Sequence, residues 1–217
     1  MSSRPRVPPT IPPAAPHAVP ELIAARRSVR SFDPSPLDTD VLDRLVGAAT
    51  LAPAPHHSRP WRWVVVTSPA GKAALARGMG ERWRTDLGRD RVPPARIEEL
   101  LAASRQRIVD APTAILGCLT TEGLDRYPDE TRQDAEWGMA RLSLGAAVEN
   151  LLLAATDAGL ASCWVAAPIF CPDAARDALA LDPEWVPEAL VLVGHPGPTG
   201  PRRERPPVPL EELRIWR

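Results

Sequence analysis

The chain has 217 residues, 44% of them hydrophobic, and a formal net charge of -1 from 26 basic and 27 acidic side chains. That length suits one domain able to bury a full core, and the balanced charge argues against a nucleic-acid binder held by a basic surface. Cys118, Cys163 and Cys171 form no CxxC pair and are odd in number, which argues against a disulfide framework or a zinc site and fits a reducing cytoplasm. No apolar run reaches the ~18 residues of a membrane span, and prolines interrupt the N-terminus where a signal peptide would need an apolar core.

Residues 1–20 hold seven of the 27 prolines and read as an extended or disordered arm; the folded domain, 21–217, is expected to begin near Glu21. A short apolar helical run, Glu21 to Ala25, gives out at Arg26-Arg27-Ser28-Val29-Arg30. Asp38 to Leu51 has apolar residues at helical spacing, with Asp38 or Thr39 as N-cap. Trp61 to Thr67 is a strand whose Val64-Val65-Val66 suggests burial on both faces. Ala70 to Leu87 predicts a helix interrupted at Gly78 and Gly80, and Pro93 to Val109 a second, highly charged one. Thr113 to Leu119 is a strand. Thr131 to Ala158 is the longest helix signal, apolar on nearly all sides from Ala140 to Ala155, as in a helix buried in a core or a subunit interface; Gly159 ends it. Ala161 to Ala167 predicts a strand, Asp173 to Leu179 a helix and Ala189 to Gly194 a last strand. A Pro/Gly/Arg-rich segment and a tail with Leu213, Ile215 and Trp216 follow. The sum is an α+β domain with about four strands and a central buried helix.

Four stretches carry chemistry. The first is Arg26-Arg27-Ser28-Val29-Arg30. Its guanidiniums match phosphate oxygens bidentately, and Arg26 and Arg30 share one face if the helix persists; the alternative is a solvated helix end. The second, Ala52 to Trp61 (APAPHHSRPW), is held extended and stiff by Pro53, Pro55 and Pro60. Neighbours in an extended segment point to opposite sides, so His56 and His57 make poor joint ligands. No other histidine or carboxylate sits at useful spacing, and no metal site is expected. In the third, Gly159 to Pro172, small residues and proline follow a strand and precede a helix, which lets backbone approach a ligand. The fourth is the basic loop Pro201 to Pro207.

Taken in order, RRSVR, APxxHHxxPW, GLASCWVAAPIF, and GHP with a downstream RxR resemble the flavin-dependent nitroreductase-like family. More narrowly, APAPHH, the segment RWRTDL (82–87) and the run to Phe170-Cys171 look like the C-terminal domain of the FbiB-type coenzyme F420 biosynthesis proteins. The resemblance covers about Glu21 to Pro207. It implies the nitroreductase-like fold, with a central mixed or antiparallel sheet and a long buried helix, in a domain-swapped homodimer with two FMN sites. Arg26, Arg27, Ser28 and Arg30 would hold the phosphate and ribityl chain, and Arg203 and Arg205 complete the phosphate site. Pro53, Ala54, Pro55 and His57 would reach the flavin from the partner subunit. Ala166, Ala167, Pro168 and Ile169 would lie along the ring system; generic members often carry Glu-Gly where this chain has Pro168-Ile169.

The expected function is an FMN-dependent oxidoreductase of coenzyme F420 biosynthesis, reducing the exocyclic double bond of dehydro-F420-0. The flavin carries the chemistry, so no catalytic side chain is expected. A helical cover over 79–107 would meet this phosphorylated deazaflavin with cations, Arg82 and Arg84 among them. The alternatives are a general NAD(P)H-dependent nitro- or enone reductase, a relative that oxidises a biosynthetic intermediate, and a flavin- or F420-binding protein without turnover. The expected partners are a second copy and a small molecule, with neither nucleic acid nor membrane.

Overall fold

The computed structural model describes residues 19–198, 206 and 208–217. The expected arm, up to residue 18, and the pair Arg203 and Arg205 lie outside the described residues.

Two strands are buried on both faces, and the rest of the fold covers them. β2 (Thr113–Leu119) is buried at every position, and β4 (Val186–Gly194) at all but its first. They pair antiparallel at the centre of a four-stranded sheet of order β1-β2-β4-β3, where β1 is Trp61–Val66 and β3 is Ala161–Val165. Side chains alternate across a strand, so each central strand feeds two cores. Ile115, Leu119, Ala189, Val191 and Val193 point to one face; Ala114, Leu116, Cys118, Leu190 and Leu192 point to the other. The first core is closed by α2 (Thr39–Ala49), through Leu42, Leu45 and Ala49, and by α5 (Glu130–Asp157), through Leu144, Val148 and Leu151. The second is closed by α3 (Pro69–Arg89), α4 (Pro94–Asp110) and α7 (Pro172–Ala178), through Leu75, Met79, Ile108 and Ala175. The result is the expected α+β architecture, with an antiparallel sheet between two helical layers.

Local chemistry sets the element ends. Ser68 caps α3, its Oγ accepting from the Gly71 amide at 3.1 Å, with Pro69 in the first turn. Asp129 caps α5 by accepting from the Arg132 amide at 3.0 Å and also accepts from Arg132 Nε, and these two contacts hold its carboxyl below the usual carboxylate range. Gly159, at φ +70°, follows α5 in the left-handed region. Pro187 lacks an amide donor and pairs with Cys118 where the β2–β4 register shifts.

Three sequence expectations are corrected. β1 is an edge strand with Val65 41% exposed, so its valine run is not buried on both faces. α3 runs unbroken through Gly78 and Gly80. Gly78 instead admits α7, because a Cβ there would stand 3.0 Å from the Ala174 carbonyl oxygen. The first helix, α1 (Val19–Ala25), stops before the arginine cluster, so Arg26 and Arg30 do not share a helix face. Small one-turn helices, α6 (Ala167–Phe170) and α8 (Leu210–Leu213), complete the described chain.

Lys72 is 6% exposed. Its ammonium donates to the Val109 carbonyl at 3.2 Å and to that of Ala111, serving groups that the end of α4 leaves without intrahelical partners. Burial lowers its pKa, and the Asp110 carboxylate opposes that shift. Lys72→Ala should therefore cost about 2 kcal/mol, as expected for charged hydrogen bonds lost from a buried site, read as a lower urea midpoint with an unchanged m-value.

Candidate functional site

The segment after α1 joins the sheet. The Val29 amide donates to the Ser162 carbonyl at 2.8 Å, and Ser28 bridges Ser162 in parallel, so the arginine cluster runs beside β3. Further on, the Asp33 amide donates to the His195 carbonyl at 3.0 Å, and the Gly197 amide to that of Ser31 at 3.1 Å. In the Gly194-His195-Pro196-Gly197 turn, Gly197 permits this docking and Gly194 makes room for Pro112. A Cβ on Gly194 would fall 2.6 Å from Pro112 Cδ, and one on Gly197 2.7 Å from the Phe32 carbonyl carbon.

Within the cluster, Arg27 Nη1 donates to the Ala24 carbonyl at 2.8 Å and the Arg26 carbonyl at 3.2 Å. Arg26 Nε meets Glu149 Oε1 of α5 at 3.0 Å. Arg30 Nη1 stands 3.5 Å from the Ser28 carbonyl oxygen. Its charge and that of Arg107 act on the Cys163 thiol, whose pKa is nevertheless raised, because burial outweighs them. Burial likewise raises Cys171 and pushes Cys118 up to about 12. All three thiols are buried and protonated at neutral pH, poor as nucleophiles or metal ligands.

The turn after β3 is the second part. Ala166 is exposed, Ala167 half-buried, Pro168 buried and Ile169 exposed. Beside it, between α3 and α4, lies a cavity of about 310 Å³. Met79, Trp83, Val165 and Phe170 give it apolar walls, while Arg82, Asp86 and Arg107 give it charge. Arg82 Nε donates to Asp86 Oδ2 at 3.2 Å. Arg84 does not join this cavity: it pairs with Glu98 and lines a separate hollow between α3 and α4. Arg107 is the cation that the sequence did not single out. It sits in a helix dense with charge, where nothing marks one arginine from another before the hairpin folds over β3.

The loop carrying Pro53, Ala54, Pro55 and His57 is extended at Ala54 but not beyond it, contrary to expectation. Pro55–His57 coil into a 3-10 turn, and His56, His57 and Arg59 all have φ between 48° and 54°. Non-glycine residues rarely occupy that region, and such strain clusters at functional sites. The Ser58 amide donates to the Pro55 carbonyl at 2.9 Å, and the Thr120 amide to that of Pro60 at 2.8 Å. Pro53 and His57 are exposed. The expectation that no carboxylate approaches the histidine pair is also corrected, because Asp125 and Glu136 converge on His56.

One chain does not bring all the expected residues together. The arginine segment and the Ala166–Ile169 turn share the β3 edge. The histidine loop meets α5 at Glu136, whereas Arg26 meets it at Glu149. Those positions are thirteen residues apart, about 20 Å along a helix.

With this geometry in view, the likenesses to known proteins are informative. The nitroreductase family profile matches residues 23–195. A 5,6-dimethylbenzimidazole synthase from Rhodospirillum rubrum is 28% identical over 199 residues, covering 88% of this chain and 85% of the synthase. Among solved structures, a BluB-like flavoprotein from Clostridium difficile superposes with a TM-score of 0.75 at 19% identity, covering 93% of this chain and 99% of that one. A Desulfovibrio desulfuricans protein assigned to the nitroreductases and solved in complex with FMN gives a TM-score of 0.70 at 23% identity, covering 94% and 98%. The chain belongs to the nitroreductase family. Among the described residues, no helix is long and apolar enough to cross a membrane.

Gly197→Ala should detach residues 31–33 from the 195–197 turn, because its Cβ would overlap Phe32 backbone. A loss of about 1–3 kcal/mol is expected for such overpacking, with faster hydrogen exchange at the Asp33 amide and unchanged protection in β2.

Proposed function

We propose that the chain is an FMN-dependent oxidoreductase that works as a homodimer and reduces dehydro-F420-0 to F420-0. The observation that carries the flavin assignment is the shared edge of β3. The arginine segment abuts Ser162, and the Ala166 turn follows four residues on, about 13 Å along a strand. That spacing suits a phosphate at one end and a flat ring system at the other. Arg26, Arg27, Ser28 and Arg30 hold the phosphate and ribityl chain, with Arg203 and Arg205 added from the basic loop. Ala166, Ala167 and Ile169 flank the ring, and buried Pro168 fixes the turn from inside. The cluster is rich in guanidinium forks, the donor set that phosphate oxygens select.

FMN, when bound, supplies the two-electron reduction of the substrate's exocyclic double bond. The protein positions that substrate and excludes water from it. The cavity beside the turn has apolar walls for a tricyclic ring, and Arg82 and Arg107 suit a phosphorylated acid. The helical pair α3–α4 is the cover over it. Pro53, Ala54, Pro55 and His57 approach the flavin from the second copy, which the separation of the two attachment points along α5 supports. An exposed apolar face suits that second copy: Met139, Leu142 and Trp164 line a groove on α5, and Leu142 is 76% exposed. A second reading, oxidation of a biosynthetic intermediate, is favoured by the likeness to a 5,6-dimethylbenzimidazole synthase over 88% of the chain.

The purified dimer should be yellow and release FMN rather than FAD. Replacing Arg26 and Arg30 together by alanine should weaken FMN binding more than tenfold with the dimer intact, since each charged contact is worth about 1.5–3 kcal/mol; fluorescence titration measures it, and unchanged affinity refutes the phosphate role.

With a chemical reductant supplied, dehydro-F420-0 should turn over far faster than a nitroaromatic. Arg107→Ala should raise the KM for the anionic substrate and spare the neutral one, and salt should act in the same direction by screening. Mass spectrometry of the products separates the readings. F420-0 supports the reductase, preferred reduction of nitroaromatics a general nitroreductase, and release of 5,6-dimethylbenzimidazole the second reading.

A further inference from the structure

The 3-10 turn at Pro55–His57 holds His56 against two carboxylates that are remote in sequence. His56 Nε2 stands 3.8 Å from Asp125 Oδ2. One ligand atom each from His56, Asp125 and Glu136 lies within 4.8 Å of the others. The three are 69 and 11 residues apart, so the fold alone assembles them. His56 and Asp125 are open to solvent, while Glu136, in the first turns of α5, is 1% exposed.

Glu136 is the group that demands an explanation. Its Oε1 accepts from the Asp125 amide at 3.2 Å. Its Oε2 is buried and has no hydrogen-bond partner among the described residues. A buried carboxylate oxygen without a donor or cation is costly. The histidine facing it is held at φ 53°, ψ 19°, a conformation the surrounding structure must impose. A group that accepts electron pairs from all three resolves both features.

We propose that His56, Asp125 and Glu136 bind one divalent metal ion, with zinc as the best-suited probe. The donor set is one imidazole nitrogen and two carboxylate oxygens; zinc takes both donor types, and three protein ligands leave a position for water. Donors around a tetrahedral zinc stand about 3.3–3.6 Å apart at the usual bond lengths, so closing separations of 3.8 Å between His56 and Asp125 and at most 4.8 Å across the three takes side-chain shifts of about an ångström. The buried Glu136 anchors the ion from below and the exposed pair completes the site from the surface. The ion ties the strained 3-10 turn to the loop before α5 and to α5 itself. The proposal does not depend on flavin binding or on any activity.

The test uses the full-length protein, stripped with EDTA and titrated with zinc sulfate by calorimetry, with thermal melts in parallel. One zinc per chain is expected, together with a rise in Tm of about 5 °C or more at a hundredfold excess over Kd. His56→Gly removes a ligand and relieves the positive φ. It should fold at least as well as the wild type without zinc, yet bind zinc at least a hundredfold more weakly and lose the Tm rise. Glu136→Gln should lose zinc similarly, and His57→Ala, which removes the neighbouring ring outside the cluster, should keep it. The proposal is overturned if the wild type binds no stoichiometric zinc, or if His56→Gly binds it as the wild type does. Because His56 is exposed and the glycine suits its backbone, the result stands even where Glu136→Gln fails to fold.

Discussion

Burial of β2 and β4 on both faces is the constraint from which the rest of the molecule follows. All seven residues of β2 are buried, so neither sheet face can meet water. Two helical layers are then required, and the antiparallel order β1-β2-β4-β3 leaves only the outer strands free to build anything else. β3 uses that freedom. Its outer edge takes up Ser28 and Val29, and its end opens into the Ala166 turn. The candidate site is thus placed by the core, because polar function can be built only where the sheet runs out.

The same logic explains why the arginines of the first cluster do not act as a helix face. The chain leaves α1 at Ala25 and adopts sheet pairing, which spreads Arg26, Arg27 and Arg30 along an edge. Arg26 meets Glu149 of α5, Arg27 turns back on the end of α1, and Arg30 acts on Cys163 together with Arg107 of α4. The charges are distributed over three elements, and the docking of the segment that follows them depends on Gly197, which lets the Phe32 backbone pass at van der Waals distance.

Strain and unsatisfied polarity coincide at one place. His56, His57 and Arg59 all have positive φ in a single loop. Ser58 Oγ and Glu136 Oε2, both buried, lie in or beside that loop without hydrogen-bond partners among the described residues. Trp63 Nε1 of β1 is also buried without a partner among the described residues, and Arg91 and Ala180 also have positive φ, but in this loop the two features meet. Such a concentration is what a ligand-dependent loop produces, since its backbone is shaped for contacts that the chain alone does not supply.

The sequence by itself determined the elements whose signal is local. Thr113–Leu119 was legible from an unbroken apolar run, the long helix from sustained apolarity ended by Gly159, and the family from four motifs in fixed order, because periodicity, capping and turn chemistry act over a few residues. Tertiary structure alone decided the rest. Val64 to Val66 look as buried as Ile115 and Leu116, and only strand order puts them at an edge. Gly78 and Gly80 look like breaks, and only the approach of α7 shows that Gly78 is there for packing. Arg82 and Arg84 look equivalent, and only the helical hairpin turns one toward the cavity and the other toward Glu98. His56, Asp125 and Glu136 carry no mutual spacing at all. Burial partners, strand neighbours and side-chain convergence depend on contacts between residues distant in the chain, and no local pattern encodes those.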